Sequence, residues 1–179
     1  SAVGGFVGIL LTMWISLHYL GTQGAALLVA SMGASAVLLF AVPHGALSQP
    51  WPLVGGHVIS AVIGVGCAQA VSDILIAAPL AVALAIAAMH YLRCIHPPGG
   101  ATALTAVIGG SELHALGYQF VLTPVLLNAS VMLMTAIALN YAFTWRRYPA
   151  CFRKQAASPA ANAEVAQPLS HGDFEYALG

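Results

Sequence analysis

Residues 89–110 read MHYLRCIHPPGGATALTAVIGG, and this stretch decides how the chain is organised. Pro97 and Pro98 fix φ and have no N–H donor, so a helix arriving from upstream must end before them. The same prolines suit the first turn of a new helix, where N–H groups have no partner within the helix. The stretch therefore predicts a broken helix. The apolar segment 99–108 that follows is too short to cross a hydrocarbon core of about 30 Å.

The composition indicates a membrane protein. Of the 179 residues, 60% are hydrophobic and only 6% are charged, whereas soluble domains have about 25% charged residues. The formal net charge is zero, and the only cluster of basic residues follows the last apolar run. This pattern excludes a nucleic-acid partner and makes the lipid bilayer the expected one.

Five apolar runs are long enough to span a bilayer as helices. They cover residues 3–20, 25–42, 53–71, 74–95 and 118–143. The predicted fold is therefore all-α, a polytopic transmembrane helical bundle of about five spans plus a short broken helix after the Pro-Pro pair. A non-spanning helix of this kind is tolerated where it lines a cavity.

Basic residues indicate the orientation of the bundle. They follow the last span at Arg146, Arg147, Arg153 and Lys154, and the positive-inside rule places such residues in the cytoplasm. We expect a transmembrane domain over residues 1–149 and a flexible cytoplasmic tail over residues 150–179, which is polar and rich in Ala and Pro. The expected location is a bacterial inner membrane, with the C-terminus in the cytoplasm.

The break has the residue types of an anion site. Arg93 is expensive to bury unpaired, so it faces a partner, a cavity or the lipid headgroups. His96 either donates a hydrogen bond to an anion or caps the preceding helix. Gly99 and Gly100 offer backbone N–H groups at a helix start, where the helix dipole favours negative charge, and Thr102 adds a hydroxyl. We therefore predict that this segment binds a small anion.

A second segment echoes the first. GASAV at 33–37 resembles GATAL at 100–104, and each is followed by a span with a polar residue, His57 or Asn128. Paired interrupted segments in the two halves of a membrane protein are typical of a transporter site, which makes an internal repeat one interpretation of the echo. Close packing of helices is the other interpretation, since small residues dominate helix interfaces in membranes. The further candidate substrate-binding residues are Gly33, Ser35, His57 and Asn128.

Several motifs in order resemble those of the HPP family of integral membrane proteins. They are HPPGGATAL at 96–104, MGASAVLLFAVP at 32–43, QPW at 49–51, VGGH at 54–57, LTPVLLN at 122–128 and RRYP at 146–149. The resemblance covers about residues 25–150. It implies membrane transport, with nitrite as the leading substrate, since members of plastids and cyanobacteria are associated with nitrite transport.

Two other classes of function compete with transport. The ending LSHGDFEYALG at 169–179 resembles the linker that precedes CBS domains in some bacterial members of the family. The chain would then be a membrane anchor or sensor for a cytoplasmic CBS-type domain, and a homo-oligomer is compatible with either function. An enzyme is not expected, because the sequence lacks HExxH and GxSxG motifs. Neither a metal nor a cofactor is predicted.

Overall fold

The computed structural model describes residues 1–141 and 143–152, and this part of the chain is helical and contains no strand. The helices are α1 (Ala2–Ala41), α2 (Pro50–Ala70), α3 (Ile74–Tyr91), α4 (Pro97–Ile108), α5 (Ser111–Leu116) and α6 (Leu127–Tyr141). A π-helical turn, Val121–Leu126, leads into α6 and is broken at Thr123. The predicted all-α bundle is confirmed. Most of the predicted tail, residues 153–179, lies outside the described residues.

Four helical stretches are long and apolar enough to cross a membrane: Ala2–Ala41, Pro50–Ala70, Ile74–Tyr91 and Val121–Tyr141. The first of them is folded back on itself. Gly21 interrupts α1 with φ 60° and ψ −169°, a conformation that glycine adopts without a steric penalty. A Cβ on Gly4 would collide with the ring of Phe40, so the ends of α1 meet. Residues 2–20 and 22–41 therefore form a helical hairpin, and the five predicted spans are present.

Contacts between connecting segments define the two ends of the bundle. The indole N–H of Trp51 donates to the carbonyl of Leu92 at 3.1 Å, and Arg146 donates to Ser1 Oγ at 2.6 Å and to the carbonyl of Phe40. We call this the tail end. At the opposite end, the turn end, Gly21 lies against Glu112. Because the connections alternate between these ends, α4 starts on the tail-end side and runs towards the turn end.

Apolar side chains cover the outside of the bundle. In α3 the buried residues recur at every fourth position, at Ala77, Ala81, Ala85 and Met89, which is the periodicity of one helix face. The remaining faces of α3 expose large side chains such as Leu75, at 81% relative exposure. A surface of this kind contacts lipid rather than water, as a multi-pass membrane protein requires.

Small residues bring α2 and α4 into close contact. On α2, Gly56, Ser60 and Gly64 follow a four-residue spacing and are all buried. A Cβ on Gly64 would lie 2.5 Å from the carbonyl oxygen of Ala103, and one on Gly99 would lie 2.7 Å from that of Gly56. This small-xxx-small arrangement allows two helix backbones to approach closely in a membrane. It holds the start of α4, and therefore the HPPGG segment, against the middle of the bundle.

Candidate functional site

Five polar side chains meet inside the bundle. Ser31 and Ser35 come from α1, His57 from α2, His96 from the connector before α4, and Thr102 from α4; each is at most 1% exposed. We call these five residues the histidine network. Buried ionisable side chains such as these two histidines are rare inside membrane bundles and indicate a functional position. The network is therefore the candidate site.

The imidazole of His57 lies at the centre of the network. Its Nε2 is 2.8 Å from Ser35 Oγ, and its Nδ1 is 2.7 Å from Thr102 Oγ1. Both ring nitrogens are thus within hydrogen-bonding distance of a hydroxyl, on opposite sides of the ring. His57, on α2, therefore connects Ser35 on α1 to Thr102 on α4.

His96 extends the network towards the tail end. Its Nε2 is 2.9 Å from Ser35 Oγ, and its Nδ1 is 2.9 Å from the carbonyl oxygen of Leu47. A carbonyl only accepts, so Nδ1 holds a hydrogen. The two imidazole centroids are 4.9 Å apart with the rings inclined at 64°. Ser35 therefore contacts both histidines through one oxygen.

Ser31 closes the other side of the network. Its hydroxyl donates to the carbonyl oxygen of Pro98 at 2.6 Å and lies 2.9 Å from Thr102 Oγ1. These contacts fix the first turn of α4 against α1. Adjacent side chains of the network are within hydrogen-bonding distance of one another, so the network is closely packed.

The local sequence explains why His96 enters the bundle. His96 has φ −140° and ψ 102°, the extended conformation favoured before proline, and α4 begins directly at Pro97. A Cβ on Gly56 would lie 2.5 Å from the Cβ of His96, so only glycine leaves room for this residue. The N–H of Gly99 donates to the carbonyl of His96 at 2.8 Å. Helix rise places Ser35 about 9 Å inside the tail end, since it lies six residues before Ala41.

The two echoing segments meet at the same ring. Ser35 and Thr102 occupy equivalent positions in GASAV and GATAL, and they contact opposite nitrogens of His57. The segments run in opposite directions, because Ser31 contacts Thr102 while Ser35 contacts His96, which precedes Thr102. This antiparallel crossing is the relation that an inverted repeat would have.

The remaining predicted residues lie away from the network. A Cβ on Gly33 would meet no atom within 4 Å, and one on Gly100 would meet only Val82, at 4.0 Å. Asn128 is buried and donates to Ser16 Oγ at 2.8 Å. Arg93 is exposed. The structure thus brings together His96, Thr102, Ser35 and His57, with Gly99 packed beside them.

Ser31 and the carbonyl of Leu47 belong to the site but were not among the predicted residues. A signal for Ser31 was present, since it lies four residues before Ser35 and therefore on the same helix face. No sequence signal pointed to Leu47, whose contribution is a backbone oxygen. Within residues 1–141 and 143–152, no group of three or more His, Cys, Asp or Glu side chains could hold a metal ion.

A polar cavity of about 200 Å³ lies at the turn end. It is lined by Leu20, Thr22, Gln23 and Gly24 on one side and by residues 109–112 on the other. The cavity thus lies between the second arm of α1 and the segment that follows α4. Further along, the same arm of α1 contacts α4 through Ser31 and Thr102.

Arg93 terminates α3 in a left-handed conformation, with φ 55°. The N–H of Cys94 donates to the carbonyl of Met89 at 2.9 Å, and that of Arg93 to His90 at 3.2 Å. These two bonds form a Schellman motif, in which glycine is the usual residue at the left-handed position. Arginine there is strained, because its Cβ approaches the following carbonyl oxygen.

Arg93→Gly is therefore expected to raise the free energy of unfolding by about 1 kcal/mol, through relief of this strain. Chemical denaturation of the purified protein in detergent would measure the change. Arg93→Ala is the matched control, because it removes the same charge and keeps the Cβ. Equal stability of the two variants would contradict the strained cap.

The comparisons with known proteins agree with the motifs. The chain matches the family described as "HPP, transmembrane region" over residues 1–149. It is 37% identical over 153 residues to one transmembrane protein of Dictyostelium discoideum and 39% identical over 153 residues to another. No solved structure matches the chain.

The chain is a multi-pass helical membrane protein, the class that its composition, fold and lipid-facing surface define. It belongs to the HPP transmembrane family. The matched regions cover 83% and 82% of this chain but 49% and 53% of the two relatives. The chain thus spans about half the length of the curated relatives it matches.

Proposed function

We propose that this protein moves a small monovalent anion across the membrane, with nitrite as the leading substrate and the histidine network as its site. One observation supports this most directly. Two imidazoles and three hydroxyls converge in the interior of a lipid-facing bundle. Burying ionisable groups there costs free energy, and such groups indicate a functional site. The choice of nitrite comes from the resemblance to family members associated with nitrite transport.

The charges around the network favour an anion over a cation. The network contains no carboxylate, and its hydroxyl and imidazole N–H groups would turn from their present partners to a bound anion. The acidic side chains in the described part of the chain are Asp73, which caps α3, and Glu112, and both lie at the turn end. Small anions are held by hydrogen-bond donors such as hydroxyl and imidazole N–H groups.

Arg93 would attract the anion over a longer distance. It is exposed and lies three residues before His96, where the connector enters the bundle. Gly99 and Gly100 would shape the backbone beside the ligand, and Asn128 would support the bundle through its contact with Ser16. Gly33, beside which a Cβ would meet no atom within 4 Å, would not touch the ligand. Arg146 and Arg147 lie at the tail end, which the positive-inside rule would place in the cytoplasm of a bacterial cell. The proposed role is transport without catalysis.

Nitrite uptake into proteoliposomes tests the proposal, with nitrate, formate and chloride as competing anions. We expect saturable uptake by the wild-type protein, and about a tenfold to hundredfold loss in Thr102→Val, because the hydroxyl that contacts both His57 and Ser31 is removed. Thr105→Val is the matched control. Thr105 is also buried in α4, but its hydroxyl donates only to the carbonyl of Ala101, at 2.8 Å.

Absence of uptake of every anion by folded protein would overturn transport.

The second candidate is a membrane anchor or sensor for a CBS-type domain. It is favoured by the length of the relatives, of which the matched region covers only about half. Saturable uptake by the bundle itself would argue against a purely anchoring role. Uptake that is equal in Thr102→Val and Thr105→Val would place the anion site elsewhere.

A further inference from the structure

We infer that the histidine network binds one excess proton and passes it between His57 and His96 through the hydroxyl of Ser35. The inference deepens the proposed function, because it concerns the same site, and it adds a second transported species. It depends on a count of hydrogen atoms along the network. Its test requires no anion.

The network is a single chain of contacts with a carbonyl at each end. From the tail end, the contacts join Leu47 O to His96, His96 to Ser35, and Ser35 to His57. They continue from His57 to Thr102, from Thr102 to Ser31, and from Ser31 to Pro98 O. Because both terminal groups are carbonyls, both ends of the chain can only accept.

Each of these six contacts needs one hydrogen atom to become a hydrogen bond. Three hydroxyls supply one hydrogen each, and each neutral imidazole supplies one more. The neutral network therefore has five hydrogens for six contacts, and one contact joins two lone pairs. Weaker contacts from Ser35 to Ser31 O at 3.3 Å and from Thr102 to Pro98 O at 3.4 Å add acceptors and deepen the shortage.

One additional proton completes the chain of hydrogen bonds. With the proton on His57, Nε2–H donates to Ser35, Ser35 donates to His96 Nε2, and His96 Nδ1–H donates to Leu47 O. On the other side, His57 Nδ1–H donates to Thr102, Thr102 donates to Ser31, and Ser31 donates to Pro98 O. Every donor and every acceptor is then used once.

The proton can move without displacement of any heavy atom. The Nε2–H bond of His57 breaks as its hydrogen joins Ser35 Oγ, while the original hydrogen of Ser35 leaves for His96 Nε2. His96 then holds hydrogens on both nitrogens, and His57 Nε2 accepts from Ser35. The two arrangements contain the same atoms and the same number of hydrogen bonds, which is the condition for a proton relay.

The side chains around the relay determine which group would balance the positive charge of the bound proton. α1 and α4 contribute only hydroxyls to the network, α2 contributes His57, and the connector adds the buried thiol of Cys94 beside Gly55. On the neighbouring α3, Met89 contacts Ser60 through sulfur, and His90 is exposed. Burial opposes a net charge, so a bound anion is the natural partner of the proton. The relay would then couple proton movement to anion movement.

Nitrogen-15 NMR of histidine-labelled protein in lipid nanodiscs tests the relay. The titration runs from about pH 8 to about pH 4, across the range in which histidine charges, without nitrite. We expect His57 and His96 together to take up one proton, with the signals of the two rings shifting together because the proton exchanges between them. In Ser35→Ala the rings should no longer share the proton, and only one of them should shift. The assignment of each ring comes from His57→Gln and His96→Gln.

Ser60→Ala is the matched control, because Ser60 is a buried serine of the same bundle whose hydroxyl donates to the sulfur of Met89, at 3.7 Å, and not to a member of the network. It should reproduce the wild-type titration. Two rings that stay neutral throughout, or that each gain a full proton, would overturn the relay, and these outcomes need only the wild-type protein. Shared protonation without any anion uptake would support the relay and overturn transport, whereas uptake with neutral rings would overturn only the relay.

Discussion

Gly64→Val is expected to lower the free energy of unfolding by about 1–3 kcal/mol, the usual cost of overpacking. A Cβ at this position would lie 2.5 Å from the carbonyl oxygen of Ala103 and 2.7 Å from the Cβ of Ala106. Both atoms belong to the framework of α4, so no side-chain rotation relieves the clash. α2 and α4 would have to separate, and Thr102 would lose its contact with His57. Chemical denaturation in detergent measures the stability.

Gly66→Val is the matched control for this prediction. Gly66 lies two residues further along α2, and the nearest atom to a Cβ there is Tyr118 Oη at 3.4 Å, the far end of a side chain that can move. The change in helix propensity is the same at both positions. A similar loss of stability in the two variants would show that the small-xxx-small contact between α2 and α4 is not decisive.

His96→Ala is expected to reduce nitrite uptake by about a hundredfold. The imidazole contacts Ser35 and the carbonyl of Leu47, and its loss removes both contacts, leaving Ser35 with His57 as its partner in the network. Two such buried hydrogen bonds correspond to ~3 kcal/mol, which is about a hundredfold in rate or affinity. The initial rate of uptake into proteoliposomes, at equal protein content, measures the effect.

His90→Ala controls for the loss of an imidazole from the same region. His90 lies on the last turn of α3 and is exposed, so its removal should leave uptake unchanged. Size-exclusion chromatography of both variants checks that each is folded. If His96→Ala is folded and transports nitrite at the wild-type rate, the network is not the route of the anion.

The spans and the break could be predicted because they are local properties of the sequence. The length of an apolar run determines whether it crosses the bilayer, and Pro97 and Pro98 end a helix whatever surrounds them. The sharp reversal at Gly21 was also signalled locally, by GTQG at 21–24. The sequence did not show that α4 runs towards the turn end, since that depends on how Gly56 and Gly64 pack against it.

The site was predictable only in part. His96 and Thr102 were singled out by the Pro-Pro break, and Ser35 by the echo, and the structure brings all three to His57. Gly33 was predicted together with Ser35, but positions two apart face different sides of a helix. Which face of α1 turns inward is decided by tertiary packing.

The contact between residues 22–41 and α4 is made by hydroxyl groups that belong to the histidine network. Ser31 donates to the carbonyl of Pro98 in the first turn of α4, and the polar cavity at the turn end lies between the same arm of α1 and residues 109–112, which follow α4. In the proposed transport, an anion that entered from this cavity would have to separate the hydroxyls of Ser31 and Thr102, which are 2.9 Å apart, to reach His57. For the proposed transport, selectivity and leakage would then depend on the same two hydroxyls, and a substitution that weakens their contact would reduce discrimination between ions as it increases the rate of their passage.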